Sequence, residues 1–169
     1  MDMPITTCFE KEQSTFQRAL RSPVDLLAAA VDLVDRGEHS LAVLLAYRAA
    51  DRALEDWAAQ FLPFTGWDQP PHLDLRGRFT ALWSELYPAA SLEALPPRPG
   101  FAVRAGLLHL LDPRRFPREK LQDLLAATSA RHRAWFIHGD EVPGAEASRD
   151  LLVRVRHLLF QVLDSAEMR

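Results

Sequence analysis

The sequence predicts an all-α fold, a bundle of five to six helices interrupted by two proline-rich irregular insertions. Segments with the strict polar and apolar alternation of a β-strand are almost absent, whereas apolar residues recur at three-to-four spacing in segment after segment. Proline, glycine and helix-capping side chains bound these segments, as expected at helix ends. The chain has 169 residues, which suits a single domain, residues 1–169, with a sizeable core.

The first two predicted helices have the clearest start and stop signals. Ser22 and Pro23 have the residue types of an N-cap followed by a first helical position, and Gly37 ends the pattern behind them. A longer helix is predicted over 41–62, because a proline stops the apolar pattern there. Residues 1–21 precede both helices and could form a flexible or docking segment.

Two irregular insertions separate the next two helices. Residues 64–74 contain a glycine and two prolines and are predicted to form a loop, with Asp74 as the N-cap of a helix that ends at Tyr87. Residues 89–100, with three further prolines, form the second insertion. A short apolar helix is then predicted over 101–111.

The segment with the most candidate catalytic residues lies at the end of the next predicted helix, before the final one. Pro117 suits the first position of a long helix that runs through Thr128 and Arg131 and ends near Gly139. After a polar turn, residues 146–165 show apolar side chains at three-to-four spacing, which predicts an amphipathic final helix.

Composition and charge narrow the function classes. Cys8 is the only cysteine and the six histidines lack metal-ligand spacing, so we expect neither a disulfide framework nor a metal or other cofactor. We read neither a signal peptide nor a membrane span, and therefore expect a cytoplasmic protein. The net charge of −3 predicts weak, salt-sensitive affinity for any nucleic acid, held by a local basic cleft.

Residues 131–139 concentrate two arginines and two histidines beside apolar residues. Arg131 and His138 are seven positions apart, which places them on one face of a regular helix. Arg133 is five positions from His138 and would point elsewhere on such a helix. Imidazole titrates near neutral pH and guanidinium binds phosphoryl oxygens, so the pair suits cleavage of a phosphodiester.

This segment resembles the R-x4–6-H motif of the HEPN superfamily. The longer form fits Arg131-His132 followed by His138, and the shorter form fits Arg133 to His138 by count. We prefer Arg131, because the shorter form leaves Ala134 at the position after the arginine, which is commonly polar in the family. Residues 45–51, which include Tyr47, Arg48 and Asp51, also resemble a helical element of the HEPN domains in type III CRISPR-associated ribonucleases.

The resemblance implies an endoribonuclease that cleaves single-stranded RNA without a metal, at a composite site in a homodimer. It implies catalytic roles for Arg131, His132 and His138, with Arg133 as an auxiliary phosphate contact. Tyr47, Arg48 and Asp51 would support the site. It also implies a role in antiviral defence, but the chain has no room for the cyclic-oligoadenylate sensor domain of those enzymes. Such a sensor would act as a separate partner, or this sequence would be a fragment.

Several alternatives stay open. His138 could simply be a favourable cation at a helix C-terminus, and Arg131 a solvated surface residue. Asp51 or Glu55 could pair with an arginine of the motif, although a buried structural network around Tyr47 and Arg48 is slightly favoured. Trp57, Trp67 and Trp83 are expected in packing roles. At the level of function, the domain could be a toxin neutralised by a nucleotidyltransferase antitoxin, a catalytically silent nucleotide- or partner-binding module, or a helical scaffold.

Overall fold

The computed structural model describes residues 22–62, 70–89, 99–128 and 143–167. These ranges contain six α-helices and no β-strand, which confirms the predicted all-α bundle of five to six helices. In chain order the helices are α1 (Pro23–Asp35), α2 (His39–Phe61), α3 (Pro70–Leu86), α4 (Phe101–Leu111), α5 (Arg118–Ala127) and α6 (Ala145–Glu167).

Helices α1, α2 and α6 pack against one another. The predicted start of α1 is confirmed, because Ser22 Oγ accepts hydrogen bonds from the backbone N–H groups of Val24 at 3.1 Å and Asp25 at 3.2 Å. The predicted end is also confirmed: Gly37 has a φ of +78°, a left-handed conformation that favours glycine. Small side chains on α2 let its neighbours approach closely, and those that are buried are Ala42, Ala46, Ala49, Ala50, Ala53 and Ala58.

Helix α4 lies against α2, α3 and α5, and α5 in turn contacts α6. The contact between α3 and α4 is close at Gly106, where an added Cβ would lie 2.9 Å from Cε2 of the fully buried Phe79. A glycine at this position therefore lets the aromatic ring reach the α4 backbone. The bounds of α4 match the prediction, and α6 extends it slightly at both ends.

The prediction of a loop up to Asp74 is wrong for residues 70–74, because α3 begins at Pro70. Proline lacks a backbone N–H, but the first turn of a helix does not need one, so a proline pair can begin a helix as well as interrupt one. Asp74 lies inside α3, where its carboxylate is 4.0 Å from Arg78. Residues 64–69 lie outside the described part of the chain.

The prediction of one continuous helix from Pro117 to near Gly139 is also wrong, because α5 ends at Ala127. Pro117 is the N-cap, one position before the first helical residue. At the other end, the backbone N–H and the Oγ1 hydroxyl of Thr128 both donate to the Leu124 carbonyl, at 3.0 and 2.7 Å. Thr128 itself has a φ of −105° and a ψ of 13°, so its backbone leaves the helical conformation.

Candidate functional site

The predicted site residues divide into two groups. Arg131, His132, Arg133 and His138 lie outside the residues that the structure describes. The sequence predicted that they lie on one helix that begins at Pro117, but α5 ends at Ala127, before any of them. Tyr47, Arg48 and Asp51 are described, and they lie on the middle of α2.

Tyr47 and Asp51 line a cavity of about 930 Å³, to which α2, α3, α4 and α5 all contribute. This volume is within the range of about 300–1,000 Å³ that is typical of small-molecule sites. The side chains on its walls that carry aromatic rings or polar groups are Tyr47, Asp51, Trp83, Glu85, Tyr87, Phe101, Arg104, Gln122 and Thr128. We call it the α4 cavity, because the first turn of α4 forms part of its wall.

The carboxylate of Asp51 holds two arginines. Oδ1 accepts a hydrogen bond from Nη2 of Arg104 on α4, and Oδ2 lies 3.3 Å from Nη1 of Arg48 on its own helix. Asp51 is 18% exposed and Arg104 is 13% exposed, whereas Arg48 is 61% exposed. Since water screens the exposed pair more strongly, the bond to Arg104 is the main interaction, and it ties α2 to α4.

Arg104 is the site residue that sequence reasoning missed. It is the only charged side chain in the otherwise apolar helix Phe101–Leu111, apart from the titratable His109. A cation among buried apolar residues needs a partner of opposite charge, and this was the available signal. The identity of that partner could not be predicted, because Asp51 is 53 residues away.

The sequence left two roles open for Asp51, a partner of a motif arginine or a member of a buried network with Tyr47 and Arg48. In the described residues Asp51 holds the largely buried Arg104 and the exposed Arg48, so the network is not buried at Arg48. Glu55 lies 3.5 Å from Arg52 on the exposed surface of α2. The contacts of the motif arginines themselves fall outside the described residues.

Aromatic side chains form two pairs on the cavity wall. Tyr47 on α2 packs on Phe101 at the start of α4, with ring centroids 5.1 Å apart, and Trp83 packs on Tyr87 with centroids 4.6 Å apart. Trp57 is buried in the hydrophobic core, and the partly buried Trp83 packs against the core, which confirms their predicted packing roles. Trp67 lies outside the described residues.

Two buried nitrogen atoms near the cavity have no hydrogen-bond partner within the described structure. They are Nε1 of Trp83 and Nε of Arg104, and both belong to side chains that line the cavity. Each is a donor only, and a buried donor without an acceptor costs about 1–3 kcal/mol. Unsatisfied groups of this kind are rare in folded proteins, so a pair of them beside one cavity is a feature that needs an explanation.

Backbone and charged groups complete the wall. The N-cap of α4 is Gly100, which has no side chain to cap the helix. Because Gly100 and the first turn of α4 line the cavity, the positive end of the α4 dipole lies there. Glu85 on α3 is 2.6 Å from Arg118 at the start of α5. Both carboxylates among the described residues of the cavity wall are thus neutralised by arginines.

The last described residue of the α5 segment connects the cavity to the motif in sequence. Thr128 lines the cavity and is almost fully buried, and Arg131 follows three positions later.

Within the described ranges, no three His, Cys, Asp or Glu side chains are grouped as metal ligands would be. None of the helices in those ranges is both long enough and apolar enough to cross a membrane. Comparison of the chain with protein-family models, with curated proteins and with solved structures finds no match.

Proposed function

We propose that this chain is a HEPN-type endoribonuclease that cleaves single-stranded RNA without a metal. The observation that carries the proposal is the sequence Arg131-His132 followed at the R-x4–6-H spacing by His138-Gly139. The all-helical fold is compatible with it, and in sequence Arg131 follows three positions after Thr128, which lines a cavity with aromatic walls.

The proposed reaction needs only a proton acceptor, a proton donor and a cation. The RNA 2′-oxygen attacks the adjacent phosphorus as its proton passes to a base, and the bond from phosphorus to the 5′-oxygen breaks as that oxygen gains a proton. An imidazole side chain suits either proton transfer, which is the role proposed for His138. Arg131 balances the charge that builds on the phosphoryl oxygens. The products carry a 2′,3′-cyclic phosphate and a 5′-hydroxyl.

A homodimer would complete this site. Two copies of the motif around a two-fold axis supply two histidines, one for each proton transfer, and two arginines. In this proposal His132 hydrogen-bonds within the composite site and Arg133 contacts a neighbouring phosphate. Tyr47, Arg48 and Asp51 act indirectly, because the bond between Asp51 and Arg104 fixes α2 against α4 behind the cavity.

The proposed setting is cytoplasmic antiviral defence of the CRISPR type, with a cyclic-oligoadenylate sensor acting from a separate partner. A catalytically silent HEPN module that binds a nucleotide or protein is the second candidate. The end of α5 at Ala127 bears on it only by removing a support of the catalytic pair, because the shared face expected from one continuous helix does not apply. The two candidates differ in whether RNA is cut.

Cleavage of a fluorophore-labelled single-stranded RNA in EDTA tests the proposal. We expect the unmodified protein to cut the strand. His138→Ala should lower the rate at least about 100-fold because a general acid–base group is lost, and Arg131→Ala should lower it by a similar factor because a cation that stabilises the transition state is lost. His157→Ala is the matched control, because His157 is an exposed histidine on α6 and should keep the full rate.

Equal cleavage by all four proteins would show a contaminating nuclease or a different site, and would contradict the proposal. No cleavage by any of them, at low salt and over a range of strand sequences, would favour the silent module. Rising salt should weaken cleavage by the unmodified protein, since the net charge of −3 leaves only local cations to hold the strand.

A further inference from the structure

We propose that the α4 cavity receives one unpaired base of the RNA strand while the phosphates stay outside it. This inference rests on the proposed function for the source of the base, but the binding event itself is independent of cleavage. Four properties of the cavity support it: its volume, its aromatic walls, its unsatisfied donors and its balance of charge.

The size and the walls of the cavity suit a flat ligand. A volume of about 930 Å³ is ample for one base with its sugar. The rings of Tyr47, Phe101, Trp83 and Tyr87 line it, and single-stranded nucleic acids are commonly held by bases stacked on such rings. Rings from α2, α3 and α4 thus border one space, so an inserted base could meet an aromatic surface on more than one side.

The unsatisfied donors specify what the flat ligand must carry. The Trp83 Nε1–H and Arg104 Nε–H groups can only donate, so the complementary ligand has acceptors at its edge. The carbonyl oxygens and ring nitrogens of nucleobases are such acceptors, whereas an aliphatic or purely aromatic ligand has none. Because both nitrogens are buried, the two side chains must shift towards the ligand when it binds.

The charge of the cavity argues for a base inside it and phosphates outside it. The acids Asp51 and Glu85 are each paired with an arginine, so the described wall presents no unpaired charged side chain, and the N-terminus of α4 adds only a partial positive charge. A neutral base fits such a wall, and the proposed function assigns its phosphate to the motif arginines, which follow Thr128 in sequence.

Binding of RNA that cannot be cut tests this directly. The probes are 2′-O-methyl hexamers of A, C or U, which lack the nucleophilic 2′-hydroxyl, and AMP and UMP as free nucleotides. Calorimetric titration gives the Kd, and the 15N-labelled indole signal of Trp83, assigned by its absence from Trp83→Phe, reports a new hydrogen bond at Nε1.

We expect the indole signal of Trp83 to shift on binding and the hexamers to differ in affinity. Trp83→Phe keeps a ring but removes the Nε1 donor, and Phe101→Leu removes a stacking ring; each should weaken binding about tenfold, or about 1.4 kcal/mol, which lies within the ranges for one hydrogen bond and for one stacked base. Two controls match these changes. Trp57→Phe removes a buried indole that does not line the cavity, and Phe160→Leu removes an exposed ring on α6; both should bind as the unmodified protein does.

The outcomes separate this inference from the proposed ribonuclease. If the cavity variants lose binding but no protein cuts RNA, the cavity assignment stands and the ribonuclease fails. If cleavage depends on Arg131 and His138 while Trp83→Phe and Phe101→Leu, shown to be folded by their Tm, bind hexamers normally, the cavity assignment is overturned. Absence of any hexamer binding by the unmodified protein also overturns it. Equal affinity for UMP or AMP and for the matching hexamer would identify free nucleotides as the ligand and overturn the assignment to an RNA strand.

Discussion

The packing of α1, α2 and α6 differs from that of the region around the α4 cavity. The first region is filled by alanine and aliphatic side chains, and Ala30, Val155 and Leu158 are almost completely buried. The cavity region has aromatic rings, a largely buried ion pair between Asp51 and Arg104, and two buried donors without partners in the described structure. Sequence patterning predicts the first kind of region, whereas the second depends on contacts between distant residues.

The difference indicates a division of roles within one small domain. Apolar burial against small residues stabilises the fold, at about 25 cal/mol for each Å² of apolar surface removed from water. Unsatisfied donors and an open cavity reduce stability, and proteins retain such features mainly where a ligand uses them. We therefore expect substitutions in the first region to change stability, and substitutions in the second to change stability less and binding more.

The largest effect should come from shortening a buried side chain of α6. Leu158 is 1% exposed, and Leu158→Ala removes apolar contacts and leaves a cavity, which should lower the free energy of unfolding by about 3 kcal/mol. Leu163 is 41% exposed on the same helix, so Leu163→Ala should cost less than about 1 kcal/mol. Urea unfolding measures both. Equal losses would contradict the assignment of the stabilising core to this face of α6.

A smaller effect is expected for the ion pair at the cavity. A double-mutant cycle with Asp51→Ala and Arg104→Ala should give a coupling free energy of about 2 kcal/mol, because the pair is largely shielded from water. The matched control is the more exposed pair of Asp150 and Arg154, 2.8 Å apart, with an expected coupling below about 1 kcal/mol.

Arg154 of the control pair stays charged throughout the measurement. The hydrogen bond with Asp150 raises the pKa of Arg154 above its ordinary value, so the arginine keeps its charge at neutral pH. The stability that it contributes is fully present below that value and is lost only as the pH rises through the raised pKa. Couplings of equal size in the two cycles would show that the cavity does not shield the pair of Asp51 and Arg104.

The smallest effect compares two helical glycines. An added methyl group at Gly106 meets Phe79 at 2.9 Å, so Gly106→Ala should cost about 2 kcal/mol in overpacking, partly offset by about 1 kcal/mol of helix propensity. At Gly77 in α3 nothing lies within 4 Å, so Gly77→Ala should stabilise the protein by up to about 1 kcal/mol. Thermal unfolding should therefore shift in opposite directions, and shifts in the same direction would contradict the close contact of α3 with α4.

Local signals in the sequence predicted most of the fold. The Ser22 cap, the Gly37 stop and the bounds of α4 are confirmed because each depends on a few neighbouring residues. The errors arose where one residue type permits two outcomes. Pro70 begins a helix although prolines also mark loops, and Thr128 ends α5 although threonine is tolerated inside helices.

The candidate site was predictable only in part. The spacing of Arg131 and His138 is a sequence property that indicates chemistry, but it cannot specify a cavity. The pair of Asp51 and Arg104 and the grouping of Trp83 with Phe101 join residues from three helices. Their proximity follows from how the helices pack, and periodicity within one helix carries no information about it.

The nature of the new RNA end tests the central claim most directly. A labelled strand incubated in EDTA with the unmodified protein should give fragments that end in a 2′,3′-cyclic phosphate, recognised by mass and by opening of the ring in acid. The same strand with 2′-O-methyl groups should stay intact, because the attacking hydroxyl is blocked. Fragments with a 3′-hydroxyl and a 5′-phosphate, or cleavage of the 2′-O-methyl strand, would contradict attack by the 2′-oxygen and with it the proposed roles of Arg131 and His138.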